Sequence, residues 1–92
     1  MAGDKKYTIV PTKVFRNEFE KLSGVHQRIV SKKMAMLEQN PFYPSLRTKK
    51  MQGGSGNYES SVNMDIRLIW EFEGDKIIIM LDVGHHDVVN KY

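Results

Sequence analysis

The sequence predicts an α+β fold: an antiparallel-rich, twisted sheet with an N-terminal helical hairpin packed on one face, in the order β-α-α-β-β-β. Three observations carry this expectation. Two apolar stripes of helical period stand side by side before Pro41, three runs of strand character fill the C-terminal part, and a short β-branched segment precedes them all. With 92 residues the chain fits one domain, residues 1–92. A chain of this size buries roughly 60–65% of its unfolded surface, which supports one modest core and little room for a deep chamber. Chemistry hosted here is expected on an open face, with a large partner supplying much of the binding surface.

Each element has a local reason. Lys5-Lys6-Tyr7-Thr8-Ile9-Val10 has the β-branched and aromatic content of a short strand. Pro11-Thr12 punctuates it, and Thr12 is placed to cap a helix by accepting a bond from a free backbone N–H. Phe15, Phe19 and Leu22 follow at i, i+4 and i+7, one stripe of that helix. Ser23-Gly24 stops it. A second helix is expected from about Val25 to Gln39, with Val30, Met34 and Leu37 at the same spacing and Ile29 and Met36 broadening the stripe. Asn40-Pro41 ends it, because proline disfavours helical geometry in the residue before it. Helices joined so closely should form an antiparallel hairpin.

Phe42 to Asn57 reads as a long connection rich in Pro, Gly, Ser and Lys, of a kind that is often functional or mobile. Its glycines, in Gln52-Gly53-Gly54-Ser55-Gly56, lack the lysine and Ser/Thr of a phosphate-binding loop. Tyr58–Val62, Ile66–Glu73 and Lys76–Val83 then read as strands, with Gly74-Asp75 as a two-residue hairpin turn. In the middle run Ile66, Leu68, Trp70 and Phe72 should face the helices. Arg67, Ile69, Glu71 and Glu73 should then face the open side.

Charge is unevenly divided. Residues 1–52 hold eleven Lys and Arg against four Asp and Glu, a balance of +7, whereas residues 53–92 hold three against seven, a balance of −4. Basic groups gather at Arg28, Lys32, Lys33, Arg47, Lys49 and Lys50, a distribution suited to holding a polyanion through many weak contacts. The absence of cysteine excludes disulfides and thiolate metal sites. Met1–Val10 carries Asp4, Lys5 and Lys6 and no long apolar region, so it does not read as a signal peptide. No apolar run approaches the ~20 residues of a membrane span. A soluble, cytoplasmic protein with no membrane partner is expected.

The candidates for chemistry cluster late in the chain. Arg67 offers a planar fork that can clamp a phosphate and stabilise its transition-state charge; as plain surface it would pair with Glu71. Imidazole as a group titrates near neutral pH, so His85 and His86 suit general acid–base work. Neighbours in an extended chain point to opposite faces, so at most one of the two should aim at the site that Arg67 lines. No His-x-His or His-x3-His spacing exists and His26 lies on a distant helix, so no metal is expected. Tyr92 can stack on an exposed base or pack beside Val88 and Val89.

The element order, the segment Tyr58-Glu59-Ser60-Ser61-Val62-Asn63-Met64-Asp65-Ile66-Arg67-Leu68-Ile69-Trp70 and the ending Asp82-Val83-Gly84-His85-His86 together resemble the RelE/ParE toxin superfamily of bacterial toxin–antitoxin modules. The resemblance covers nearly the whole chain. It implies a small RelE-like fold and, in the RelE, YoeB and YafQ branches, a ribosome-dependent messenger-RNA endonuclease. Such an enzyme needs no metal or other cofactor: the RNA 2′-hydroxyl attacks the adjacent phosphate, leaving a 2′,3′-cyclic phosphate and a 5′-hydroxyl. It implies an antitoxin protein, the ribosome and messenger RNA as partners.

By that likeness, Arg67 supports the phosphate, His86 protonates the leaving oxygen, Tyr92 lies near the message, and Asp65 is an acidic residue credited with catalysis. Lys49 and Lys50 resemble basic loop lysines that touch RNA; Arg47, Lys32, Lys33, Ser61 and His85 complete the expected RNA-facing set. Ser61 departs from the pattern, standing where relatives usually place Lys, Arg or His. The alternatives are a ParE-like inhibitor that binds DNA gyrase without catalysis, and an inactivated member that only binds its antitoxin.

Overall fold

The structure, a computed structural model, describes residues 6–92; Lys5, Asp4 and the residues before them lie outside it. Strand β1 (Thr8–Pro11) leads into helix α1 (Lys13–Glu20) and helix α2 (Gly24–Gln39). A 3-10 turn at Pro44–Leu46 and strand β2 (Lys49–Lys50) follow. Strands β3 (Asn57–Ser61), β4 (Ile66–Glu73) and β5 (Ile77–His85) complete the sheet, and a C-terminal 3-10 segment spans His86–Lys91. The sheet order is β1-β5-β4-β3-β2, parallel between β1 and β5 and antiparallel elsewhere.

Side-chain caps start both helices, the one at Thr12 as the sequence predicts. Thr12 Oγ1 accepts from Phe15 N at 3.1 Å and donates to Met80 O at 2.9 Å, so one hydroxyl starts α1 and ties it to β5. Ser23 caps α2 through His26 N at 3.2 Å. Gln27 Nε2 donates to the Phe19 and Leu22 carbonyls at 3.1 and 3.2 Å, binding the start of α2 to the end of α1. Phe15, Val30 and Leu37 from the helices pack with Ile66, Leu68, Trp70, Ile78, Met80 and Val83 in one core. The alternation read for β4 thus faces the helices as expected.

Three expectations need correction. Glu73 pairs with Ile77, so the β4–β5 turn has three residues, Gly74-Asp75-Lys76, and Gly74 adopts φ 68° to make it. The Phe42–Asn57 connection is not structureless. It carries the 3-10 turn and β2, and is tied down where Thr48 Oγ1 donates to Pro41 O at 2.6 Å. Thr48 has a single hydroxyl proton, so Ser60 must donate to Thr48 across their 2.6 Å contact; Ser60 Oγ then accepts Trp70 Nε1–H at 2.9 Å.

The third correction concerns the open face. Ile69 was expected there, yet it is fully buried. It pairs with Asp82, whose carboxylate holds the Tyr92 hydroxyl, so the C-terminal segment returns across this part of the sheet. A bulge makes the arrangement possible. Ile69 faces Asp82 but Trp70 faces Met80, leaving Leu81 as the extra residue on β5. Strict alternation would set Met80 and Val83 on opposite faces; the bulge puts both in the core. Gly84 matters for the same reason, because a Cβ there would sit 3.3 Å from Val88 Cβ, where the returning segment crosses the strand.

Candidate functional site

Ser61 and Arg67 are opposite each other on β3 and β4, on the face away from the helices. The turn that joins these strands, Val62 to Asp65, forms one end of a cleft of about 400 Å3 lined by Ser45, Arg47, Ser61, Val62, Asn63, Met64 and Arg67. Arg47 reaches it from the cap of the Pro44–Leu46 turn, where it holds a left-handed backbone (φ 48°). Two guanidiniums and two hydroxyls therefore line one opening. Ser61 brings no charge to this opening, and Arg47 adds a second cation to that of Arg67.

Asn63 organises the turn. Its Oδ1 accepts from Asp65 N at 2.9 Å and Ile66 N at 2.7 Å, an arrangement typical of Asn at the head of a turn. Its carbonyl accepts from Arg67 Nη1 at 2.8 Å, and the same nitrogen lies 3.2 Å from Ile66 O. The guanidinium thus reaches back toward the turn. Sequence reasoning did not single out Asn63, although Asn between two strand runs is a recognisable turn former. Met64 was missed as well; it stands 95% exposed at the cleft.

Beside this turn lies the acid–base cluster. Asp65 Oδ2 is 2.5 Å from His85 Nδ1, and Asp65 Oδ1 is 3.3 Å from His86 Nδ1. Both imidazoles reach Asp65, but neither lines the cleft that holds Arg67, and His85 lines a separate one with Glu18 and Lys91. Strand β5 ends at His85 and a 3-10 segment begins at His86, so the strand alternation stops between them. Hydrogen bonds from His85 and then His86 hold the Asp65 carboxyl below its usual range, so it is ionised at neutral pH. Among the described residues no group of three or more His, Asp or Glu is arranged to hold a metal ion.

Tyr92 is placed differently from the rest. Its hydroxyl donates to Asp82 Oδ2 at 2.8 Å, while Asp82 Oδ1 accepts from Val83 N at 2.8 Å. Burial, then the bond to Asp82, pushes the phenol up to about 12, so it keeps its proton at neutral pH. The hydroxyl serves as an anchor for the C-terminal segment, and part of the ring remains exposed.

The lysines do not gather in one place. Lys49 pairs with Glu59 in the strand register, and their side chains are 3.5 Å apart on the Arg67 face. Lys50 pairs with Tyr58, whose ring stacks on Trp70 on the helix side. Lys32 and Lys33 lie on α2, the layer opposite Arg67. The structure thus brings Arg47, Ser61, Arg67, Asp65, His85 and His86 around one turn and leaves Lys32, Lys33 and Lys50 elsewhere.

No protein-family model and no curated protein matches the sequence. Solved structures do match its fold. YafQ from E. coli strain BL21(DE3) aligns with TM-score 0.74 at 17% identity, over 90% of this chain and 97% of that one. The archaeal RelE–RelB complex from Pyrococcus horikoshii OT3 aligns with TM-score 0.73 at 21% identity, over 87% and 94%. The toxin–antitoxin complex RelBE2 from Mycobacterium tuberculosis aligns with TM-score 0.74 at 20% identity, over 88% and 99%. A five-stranded mixed sheet with two helices on one face, matched over 87–90% of the chain by these structures, is the RelE-like toxin fold, and that is the fold of this chain.

Proposed function

We propose that this chain is the toxin of a type II toxin–antitoxin pair and that it cuts messenger RNA on the ribosome. The observation that carries the reading is the joining of two kinds of group at one turn. Arg47 and Arg67 line a cleft to which Asn63 and Met64 contribute, and Asp65, the next residue, carries two imidazoles. A guanidinium pair suits a phosphate whose charge grows in the transition state. The imidazoles suit the proton transfers that accompany attack by a 2′-hydroxyl and departure of a 5′-oxygen.

In this reading Arg67 and Arg47 hold the scissile phosphate. His86 donates a proton to the leaving 5′-oxygen, and the products are a 2′,3′-cyclic phosphate and a 5′-hydroxyl. The shallow, exposed cleft fits a substrate presented by a large partner, and the +7 balance of residues 1–52 favours an RNA-rich surface. An acidic, amphipathic antitoxin segment is the expected protein partner. The groove between α1 and α2, lined in part by Phe15, Phe19 and Met34, offers it an apolar seat. Two of the matched structures contain RelE-like toxins in complex with their antitoxins.

Primer extension on a translated message after brief expression tests the proposal. Discrete cuts within translated regions support it. Growth arrest with gyrase-linked DNA damage and intact message would replace it with the gyrase-inhibitor reading, and harmless high-level expression would replace it with an inactive relative.

A further inference from the structure

Resting on the nuclease reading above, we propose that His85 is the general base that complements His86 as general acid, with Asp65 as the positioning residue that holds both imidazoles. The residues lining the cleft include no group that titrates near neutral pH: Ser45 and Ser61 are hydroxyls, Arg47 and Arg67 are permanent cations, and the rest are Val62, Asn63 and Met64. A serine hydroxyl cannot remove a proton from the RNA 2′-hydroxyl unaided. Neither histidine lines the cleft itself, but both are held by Asp65 at the turn that closes it, so the imidazole not used as the donor is the group available for the task.

The geometry prepares it. An ionised carboxylate only accepts hydrogen bonds, so each Nδ1 facing Asp65 must carry the hydrogen. In a neutral imidazole that leaves Nε2 bare, on the far side of the ring from Asp65. One carboxylate offsets one positive charge, and two adjacent imidazolium rings repel. The reaction needs one proton on the two Nε2 atoms, with one imidazole bare and the other protonated.

The step balances. Nε2 of His85 takes the 2′-hydroxyl proton as the 2′-oxygen bonds to phosphorus. The bond from phosphorus to the 5′-oxygen breaks, and that oxygen receives the proton from Nε2 of His86. The proton count on the pair is unchanged: His85 ends charged and His86 neutral. Glu18 of α1 and Asp87 and Lys91 of the C-terminal segment share a cleft with His85, and Arg67 stands beside its strand neighbour Gly84, so these are the other charges that set the imidazole midpoints.

The test compares cleavage of a ribosome-bound message carrying either the natural 5′-oxygen or a bridging 5′-sulfur at the scissile linkage. On the oxygen substrate, His85→Ala and His86→Ala should each lose about 10²-fold or more. Sulfur leaves without a proton, so it should restore His86→Ala to within about tenfold of wild type while His85→Ala stays impaired. Rescue of His85→Ala instead, or full activity of that variant, overturns the base assignment and leaves the nuclease in place. No cleavage by wild type overturns the nuclease reading and this assignment with it. Nuclear magnetic resonance titration supplies a readout independent of turnover. Asp65→Asn should lower the midpoints of both His85 and His86 and leave His26, on α2, unmoved; a shift in only one ring, or in neither, overturns the positioning role.

Discussion

Replacing Tyr92 with Phe removes one oxygen and tests how the C-terminal segment is held. The lost bond is the 2.8 Å contact from the Tyr92 hydroxyl to Asp82 Oδ2, and Asp82 is only 2% exposed. A hydrogen bond to a charged group contributes roughly 1.5–3 kcal/mol net, and a buried acceptor left without its donor costs a similar amount. Two features reduce that figure: Asp82 keeps its bond from Val83 N, and Tyr92 is 40% exposed, so water can reach the vacated position. A loss of about 1–2 kcal/mol is expected, equivalent to a fall in Tm of roughly 5–15 °C for a domain of this size.

The pH dependence has a definite sign. The folded-state phenol is raised from 10.0 to about 12, so the fold favours its protonated form. The stability this contributes is fully present below about pH 10 and is lost as pH rises through about 12. The gap between wild type and Tyr92→Phe should therefore narrow above pH 10. Calorimetric or chemical unfolding of both proteins at pH 7 and pH 11 measures it. Equal stability at pH 7, or a gap that widens with alkali, would refute the anchoring argument. Cleavage assays on the same variants separate the other role: if the ring stacks on a base, Tyr92→Phe retains activity that Tyr92→Ala loses.

Other perturbations address the site and its frame. Arg67→Ala should abolish toxicity while circular dichroism stays native, because the guanidinium is bound to carbonyls of a surface turn and not packed in the core; unchanged growth arrest in a folded variant would remove Arg67 from phosphate support. Ser61→Lys should raise the cleavage rate by adding a cation opposite Arg67, and a slower enzyme would show that Arg47 already fills this role. Trp70→Phe should destabilise the protein by about 1–3 kcal/mol in urea unfolding, since it leaves the buried Ser60 hydroxyl without its indole donor. Gly84→Val should impair cleavage more than Gly84→Ala, because Val88 already stands 3.3 Å from the position of the added Cβ and the segment bearing His86 must shift.

What the sequence determined by itself was local and periodic. The Phe15/Phe19 and Val30/Leu37 spacings, the cap at Thr12 and the alternation Ile66-Leu68-Trp70 each express a preference contained within a few residues, and the structure realises all of them. The late concentration of Arg67, His85 and His86 was also legible, because a strand arginine and a glycine-histidine ending have little value as packing, whereas Asp65 entered only through the family resemblance.

Tertiary structure decided the rest, for reasons no window of sequence contains. The Leu81 bulge exists because Met80 and Val83 must both reach the core, and its consequence is an Asp82 that meets Tyr92 across ten residues. Arg47 joins the cleft only because the Pro44–Leu46 turn packs beside β3 and holds it in a left-handed conformation. The two histidines converge on Asp65 because the strand ends between them, a boundary that depends on where the returning segment crosses Gly84. Periodicity fixes which face a residue prefers while an element lasts; where elements end and what then lies across them is set by contacts between distant parts of the chain.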